Sequence, residues 1–403
     1  MSGPRALPAE AARCAGSRLR VLHIVFNEVV DDPRVRRVAD SLHSNGHHVE
    51  AIGFQTSAAP PSTRIADLPY RVRIVPRPPA KYFPSSWFGP KLWREWLWAC
   101  AFVKEVPDAH FDVIHAHDLN VLHYAMLAAL PSSTPILFDS HEIWTGLESS
   151  RGTAARTALR MYERFLIRRC AAVVSVTPGA GDHLARMHAL KAPFVVTNCA
   201  NWMDPANRLP KEEAWFDLLY HGSLGPGRGC HELIKAVRLM PPKSRARAVF
   251  RGSGAGLREC RAIATHEGCG TRVVFVPPVP MTMLVKAASS SHVGVVLTRD
   301  SCINNRLTVS NKLYEYAMAG LPVIMSDVPE HRRLNDEFDF GIIVKDFRPE
   351  PLAEIIGLLE DDQARYARLC EGSLRMSKAC HWEREFETQM AAYRASLARG
   401  QCE

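Results

Sequence analysis

Asn305-Arg-Leu-Thr-Val-Ser-Asn-Lys-Leu-Tyr-Glu-Tyr-Ala-Met-Ala-Gly-Leu-Pro-Val-Ile-Met325 is the stretch on which the reading of this chain turns. Ser310 stands where a hydroxyl can cap the first turn of a helix. Leu313, Tyr314, Ala317 and Met318 recur at helical spacing, and Gly320 before Leu321-Pro322 closes that helix. Val323 to Met325 then read as a buried strand. An open helix start at Ser310, Asn311 and Lys312 gathers free N–H groups and partial positive charge, which suits a phosphate. Glu315 lies about one turn inside, within reach of a sugar hydroxyl on the same ligand. The plainer reading, a helix–strand connection with a surface glutamate, stays open at this point.

Moving outward, 403 residues are too many for one ordinary core and fit two domains. A hydrophobic content of 47% with 23% charged residues is that of a globular protein. A formal charge of +8 favours anionic partners such as a nucleotide diphosphate or a phospholipid surface. No nucleic-acid module or basic low-complexity arm is visible, so nucleic acid is not expected. Eleven cysteines without a Cys-x-x-Cys pair read as reduced thiols of a cytoplasmic protein. Residues 1–18 lack an apolar run and read as a flexible tail. The run Trp96 to Val103 is far short of a bilayer span, so any membrane contact is expected to be peripheral.

From the N-terminus, a strand at Leu19 to Phe26, a helix at Pro33 to Ser44 and a strand at Val49 to Phe54 make a βαβ opening. The first turn has no Gly-x-Gly-x-x-Gly, which argues against a dinucleotide cofactor. Lys81 to Lys104 mixes Trp87, Phe88, Trp93, Trp96 and Trp98 with lysines and Arg94, a pattern shared by interfacial membrane helices and by segments packed on their own domain. Asp112 to His115 runs into Ala116-His117-Asp118, and Ile136 to Phe138 into Asp139-Ser140-His141-Glu142. A metal site and loop-fixing His–Asp pairs are both open there; the spacing fits no helix-borne metal motif, and no metal is expected. Asn198 to Arg208 reads as a linker. A second α/β series follows, with Leu218 to Tyr220 leading into His221-Gly222-Ser223-Leu224-Gly225-Pro226-Gly227-Arg228-Gly229. Its glycines allow close approach of a phosphate, and Arg228 can pair with the charge, unless the run is a plain turn.

Each candidate group follows a strand: His117, His141, Gly222, Gly252 with Gly254, Pro278 and Arg299. In open α/β sheets, ligands bind outside the carboxyl ends of the strands. Two such sheets facing each other would gather these groups.

Ser310 to Pro322 closely resembles the signature of family 4 glycosyltransferases, Pro/Ser-Asn-Lys-Leu-x-Glu-Tyr-x-x-Ala-Gly-x-Pro-Val. His115 to Glu142 resembles that family's His-Ala-His-Asp and Asp-Ser/Ala-His-Glu stretches. Gly222 to Gly229 resembles its diphosphate loop, and Asp32-Pro33-Arg34-Val35 the start of one of its branches. The resemblance implies an α/β protein of GT-B architecture, two facing Rossmann-like domains with an interdomain cleft. It implies an N-terminal acceptor domain at 19–200, a donor domain at 201–378 and a last helix, 379–403, crossing back to the first domain. It further implies a retaining enzyme using a nucleotide-diphosphate sugar, with Glu315 on the ribose and backbone groups at Pro277–Val279 on the base. Arg228 and the amides at Asn311 and Lys312 would meet the diphosphate, and His141 would lie under the donor sugar. Gly222, Ser223, Gly227, Gly229, Gly252, Gly254, Arg299 and Ser310 complete the expected donor set.

His117, Asp118 and Glu142 fall on the acceptor side, and Arg34 either guides an acidic acceptor or lies in a solvated first turn. The acceptor is expected to be a glycan or lipid-linked hydroxyl in polysaccharide synthesis, at the cytoplasmic face of the inner membrane or near it, with no cofactor. Two departures stand out. Many relatives carry a sugar-reading glutamate where this chain has Leu307, and an arginine where it has Ser223. A catalytically degenerate scaffold and a sugar-nucleotide epimerase or hydrolase are the alternative readings.

Overall fold

The computed structural model describes residues 18–30, 32–56, 60–77, 89–147, 152–225 and 227–400, with the side chains of 89–93 and of 400 set aside. These residues form two compact units. The first runs to Val196 and takes in the chain again from Phe386; the second is Thr197–Glu385, joined by the short segment that begins at Gly146.

In the first unit, β1 (Arg20–Val25), α1 (Pro33–Ser44), β2 (His48–Phe54), β3 (Arg71–Val75), α2 (Gly89–Glu105), β4 (Val113–His117), α3 (Leu119–Ala129), β5 (Ile136–Ser140), α4 (Thr153–Ile167), β6 (Ala172–Ser175), α5 (Pro178–His188) and β7 (Phe194–Val195) follow in order. Seven parallel strands lie in the order β3-β2-β1-β4-β5-β6-β7. Parallel strands covered on both faces need near-continuous apolar runs, and β1 and β4 are such runs except for Arg20 at the start of β1 and their histidines. Asp32 caps α1 by accepting from the N–H groups of Arg34 and Val35, with Pro33 at the first helical position. Leu22, Ile24, Phe54, Phe102, Leu122 and Phe138 anchor the core.

The Lys81 to Lys104 segment is resolved by its second half. Trp98 is buried against Phe26 and Phe54, so this part of α2 packs on its own domain. Trp96 is exposed. Lys81, Trp87 and Phe88 lie outside the described residues, as do the side chains of Lys91 and Trp93. No helix among the described residues is long and apolar enough to cross a membrane.

The second unit repeats the plan with β8 (Phe216–Ser223), α6 (Cys230–Leu239), β9 (Ala246–Ser253), α7 (Leu257–His266), β10 (Val273–Val276), α8 (Leu284–Ala288), β11 (Val293–Val296), α9 (Ile303–Leu307), α10 (Asn311–Ala319), β12 (Val323–Ser326), α11 (Pro329–Phe338), β13 (Gly341–Val344), α12 (Pro349–Asp361), α13 (Gln363–Ala379) and α14 (Trp382–Gly400). Its six parallel strands run β10-β9-β8-β11-β12-β13. The strand order reverses between β8 and β11, as it does between β1 and β4 in the first sheet, and such switch points are where open α/β sheets leave a crevice. The last helix begins in the second unit, and from Phe386 onward it belongs to the first.

Candidate functional site

At the switch point of the second sheet, Tyr220, Gly227, Arg228, Thr298, Arg299, Ser301, Asn305, Ser310 and Lys312 border a cavity of about 420 Å³. Among the described residues its lining holds three cations and no carboxylate. Two helix starts frame it, α6 behind Gly229 and α10 behind Ser310. Gly229 sits at φ 73°, and a Cβ there would fall 2.4 Å from that of Leu297, so only glycine lets α6 begin this close to β11. Ser310 occupies the N-cap position of α10, but its side chain makes no capping bond. The expected cap is therefore corrected: Ser310 borders the cavity, and the turn is closed by the Leu313 N–H donating to the Ser310 carbonyl at 3.0 Å.

Lys312 is half-buried, with its ammonium 5.1 Å from the centre of the Tyr220 ring. Burial, reinforced by Arg228, pushes it down to about 8, while Glu315 acts the other way. Arg228 and Glu315 thus both lie within electrostatic reach of one lysine. Glu315 itself is buried, its Oε2 2.8 Å from His221 Nε2. His221 went unnoticed as a site residue. Its signal was the histidine directly before the first glycine of the loop, but its partner lies 94 residues on and the pairing exists only in the folded sheet. Arg299 reaches the cavity and also donates to Glu232 at 2.8 Å.

Among the expected donor residues, Gly227, Arg228, Arg299, Ser310 and Lys312 share the cavity. Gly222, Ser223, Gly229, Gly252, Gly254, Pro278, Asn311 and Glu315 are not in its lining. Gly252 is a packing residue, since a Cβ there would lie 2.0 Å from the Gly222 carbonyl oxygen. Pro278 is exposed beyond β10. Leu307 is also outside the lining, whereas the Asn305 amide, two residues earlier, is in it.

The first sheet holds a different centre at its own switch point. Strand register sets His23 beside His115, and His117 beside Asp139. Arg34 is buried and grips Asp139 with two hydrogen bonds, Nε to Oδ2 at 2.7 Å and Nη2 to Oδ1 at 2.8 Å; its Nη1 donates to the Val196 carbonyl at 2.8 Å. This corrects both earlier readings of Arg34, because a buried guanidinium committed to one carboxylate neither meets solvent nor guides an acceptor. His117 is also corrected: as the last residue of β4 it is buried, 2.9 Å from His23 and 3.2 Å from His141. Asp118 takes a positive φ of 71° and accepts from the His141 and Glu142 N–H groups at 2.9 and 3.2 Å, fixing that loop. Glu142 is exposed.

Burial disfavours a charged His141, but the carboxylates of Asp118 and Asp139 outweigh it and raise this imidazole to about 9. Burial and the other imidazoles drive His117 well below its ordinary value. Burial opposes ionisation of Asp139 too, yet Arg34 and His141 hold it well below the usual carboxylate range. A charged His141 carries a proton on both nitrogens, so His117 Nδ1 accepts from it and His117 Nε2 donates to His23. His115 was also missed; its Nδ1 lies 2.7 Å from the Tyr393 hydroxyl on α14. Two groups, His23 with His115 and His117, and His117 with Asp139 and His141, bring ligand atoms within 4.8 Å. The second is built around a carboxylate already claimed by a guanidinium, which makes it a poor cation site.

A family model described as a glycosyl transferase 4-like domain matches residues 32–216, and one described as glycosyl transferases group 1 matches residues 206–375. A D-inositol 3-phosphate glycosyltransferase of Thermomonospora curvata is 25% identical over 186 residues, which cover 44% of this chain and 42% of that one. A further protein of that description, from Catenulispora acidiphila, is 23% identical over 316 residues, 72% of this chain and 73% of its own. The chain thus spans well under half the length of the first of these curated relatives. Among solved structures, sucrose-phosphate synthase from Thermosynechococcus elongatus superposes with a TM-score of 0.75 at 18% identity, covering 95% of this chain and all of that one. HepE from Anabaena, in complex with UDP-glucose, does so at 0.69 and 15%, covering 93% and 100%.

Proposed function

Because the chain belongs to the glycosyltransferases that join a 4-like domain to a group 1 domain, with the GT-B fold, we propose that its second unit binds a nucleotide-diphosphate sugar and its first unit binds the hydroxyl acceptor. One observation carries this reading: Arg228, Lys312 and two helix starts converge on a cavity whose lining, among the described residues, contains no carboxylate. Such a site is tuned for a compact anion, and it stabilises charge that grows on a departing diphosphate. Lys312 near 8 gains its full charge when a diphosphate enters.

Glu315, set in place by His221, is assigned to the donor ribose. Transfer with retention needs no dedicated enzyme base, because a donor phosphate oxygen can take the acceptor proton. UDP is a fitting nucleotide, as HepE is described in complex with UDP and UDP-glucose. The acceptor is a glycan, a lipid-linked sugar or a phosphorylated polyol, the last in keeping with the inositol phosphate relatives. Polysaccharide synthesis at a membrane surface is the setting we propose, with no metal or cofactor required; activity lost on chelation and restored by one divalent ion would contradict the last point.

A thermal-shift screen of UDP-, GDP- and ADP-sugars tests the donor assignment. At a hundred times its dissociation constant a true donor stabilises the protein by about 2.7 kcal/mol. A flat response to every nucleotide sugar would sink the proposal. Leu307, outside the cavity and in place of a sugar-reading glutamate, favours a second reading as a non-catalytic scaffold. Nucleotide binding without turnover of any donor would select it.

A further inference from the structure

The crossovers from β3 to β4, β4 to β5 and β5 to β6 all step the same way along the first sheet, and right-handed connections put α2, α3 and α4 side by side on one face of it. The Tyr124 hydroxyl of α3 donates to Glu95 of α2 at 3.3 Å, and the rings of His123 on α3 and Tyr162 on α4 lie 6.5 Å apart. Each helix carries apolar groups on its outer surface as well as its inner one. α2 packs through Trp98 and Phe102, yet Trp96, Cys100 and Val103, recurring at helical spacing, are exposed. The end of α3 leaves Leu127 and Leu130 exposed, by 38% and 74%. α4 is buried only at Glu163, Leu166 and Ile167, and a second stripe of Ala154, Ala158, Met161 and Phe165 faces solvent. An exposed apolar patch shared by three neighbouring helices marks an interaction surface.

The excess charge on this layer is positive. Arg156, Arg160, Arg164 and Arg168 form an exposed row along α4 and just past its end, and Arg169 lies over the Phe165 ring at 3.6 Å. None of the five makes an ion pair among the described residues, and the hydrogen bonds of Arg164 and Arg169 go to backbone carbonyls. The one carboxylate of α4, Glu163, is buried, 3.2 Å from His188. On α2, Arg94 and Lys104 match Glu95 and Glu105, and α3 carries no acidic residue, lysine or arginine. Rows of single apolar side chains on separate helices, with axes about 8–10 Å apart, are not the contiguous packed patch at the core of a protein interface. A fluid surface needs no matching shape, and Trp, Phe and Leu flanked by arginines are the composition of an interfacial helix.

We propose that the outer face of α2, α3 and α4 docks on an anionic lipid bilayer, its exposed apolar side chains entering the headgroup boundary and the α4 arginines meeting lipid phosphates. The inference gives a physical face to the membrane setting proposed above and rests on that reading. None of its residues borders the donor cavity.

The test sediments the full chain with vesicles of phosphatidylcholine alone and of phosphatidylcholine with about 30% phosphatidylglycerol. Binding to the anionic vesicles should be at least about tenfold tighter than to the neutral ones and should vanish as salt rises to about 0.5 M. Arg160→Gln with Arg164→Gln should weaken it about thirtyfold, and Met161→Ser with Phe165→Ser at least about tenfold. Unfolding midpoints should not move, because all four side chains are exposed. Arg258→Gln, exposed on α7 of the second unit, should have no effect. Equal binding by the wild type and the α4 variants overturns this face and leaves the membrane setting intact, whereas no vesicle binding at all removes both. Self-association abolished by Met161→Ser with Phe165→Ser, in place of vesicle binding, would assign the face to a second copy and refute the lipid. UDP-glucose is titrated in the same samples and should bind every variant alike; if it binds none while the vesicles are bound, the donor reading falls and the lipid face stands.

Discussion

Arg34 in the first unit and Arg228 in the second stand at corresponding places, the switch points of two parallel sheets, yet they face opposite surroundings. Arg34 is buried and spends its guanidinium on Asp139 and on a backbone carbonyl. Arg228 is exposed, makes no ion pair among the described residues, and borders a cavity shared with Lys312. A buried charge that is fully matched holds its neighbours in place. A charge left facing open space beside a second one of the same sign has no structural reason to be there, and it is the pattern of an anion site. The difference teaches that the residue type alone does not separate scaffold from ligand site; the partner does.

The comparison is broken most forcefully at Asp139. Asp139→Ala strands Arg34 in the interior and should cost about 3–5 kcal/mol in urea unfolding. A loss comparable to that of a surface substitution would show that Arg34 is not structurally committed. His141 comes next. Its folded value of about 9 lies above the ordinary 6.5, so its contribution is fully present below pH about 6.5 and is lost as pH rises through about 9. That contribution is on the order of 3 kcal/mol, and urea midpoints from pH 6 to 10 should decline in the wild type and flatten in His141→Gln.

Arg228→Ala should show the converse profile. Stability should shift by under about 0.5 kcal/mol, while transfer falls at least about tenfold, or about 1.4 kcal/mol of transition-state stabilisation. Lys312 sharpens the same contrast: nucleotide-diphosphate affinity should weaken above pH about 8, by at most about tenfold per pH unit, and calorimetric titrations across pH 7–9 would reveal a pH-independent site if the lysine has no role. The smallest effect belongs to Ser310→Ala. With no capping bond to lose, it should change stability by under about 0.5 kcal/mol, below the usual loss of about 1 kcal/mol for a helix cap.

Much of the site could be read without coordinates. The bounds of α1 follow from Pro33 at its start and Asn45-Gly46 after its end, and Gly320 closes α10 at a left-handed φ of 76°. These are local effects of one residue on its own backbone. What escaped was set at a distance. β3 was overlooked because Arg71 and Arg73 interrupt its apolar pattern, and only pairing with β2 makes it a strand. β4, β5, β8 and β9 each run further than their apolar stretches suggest, which carries His117, Asp139, Gly222 and Gly252 into the sheets. His23 and His115 were not singled out because a histidine in an apolar strand has no local signature, and His221, though it directly precedes the loop's first glycine, has its partner 94 residues on.

The sequence by itself determined the alternation of strands and helices, the glycines at their junctions and the edge on which the polar groups would fall, because each depends on periodicity and backbone freedom within a few residues. Only the tertiary structure decided which of those groups became scaffold and which faced a ligand. Packing of α1 on the first sheet brought Arg34 to Asp139, 105 residues apart, and packing of α10 on the second brought Glu315 to His221, 94 apart. Arg228, on the loop before α6, was left without a carboxylate partner among the described residues. Pairings over such distances are fixed by the packing of whole elements, and no short stretch of chain contains them.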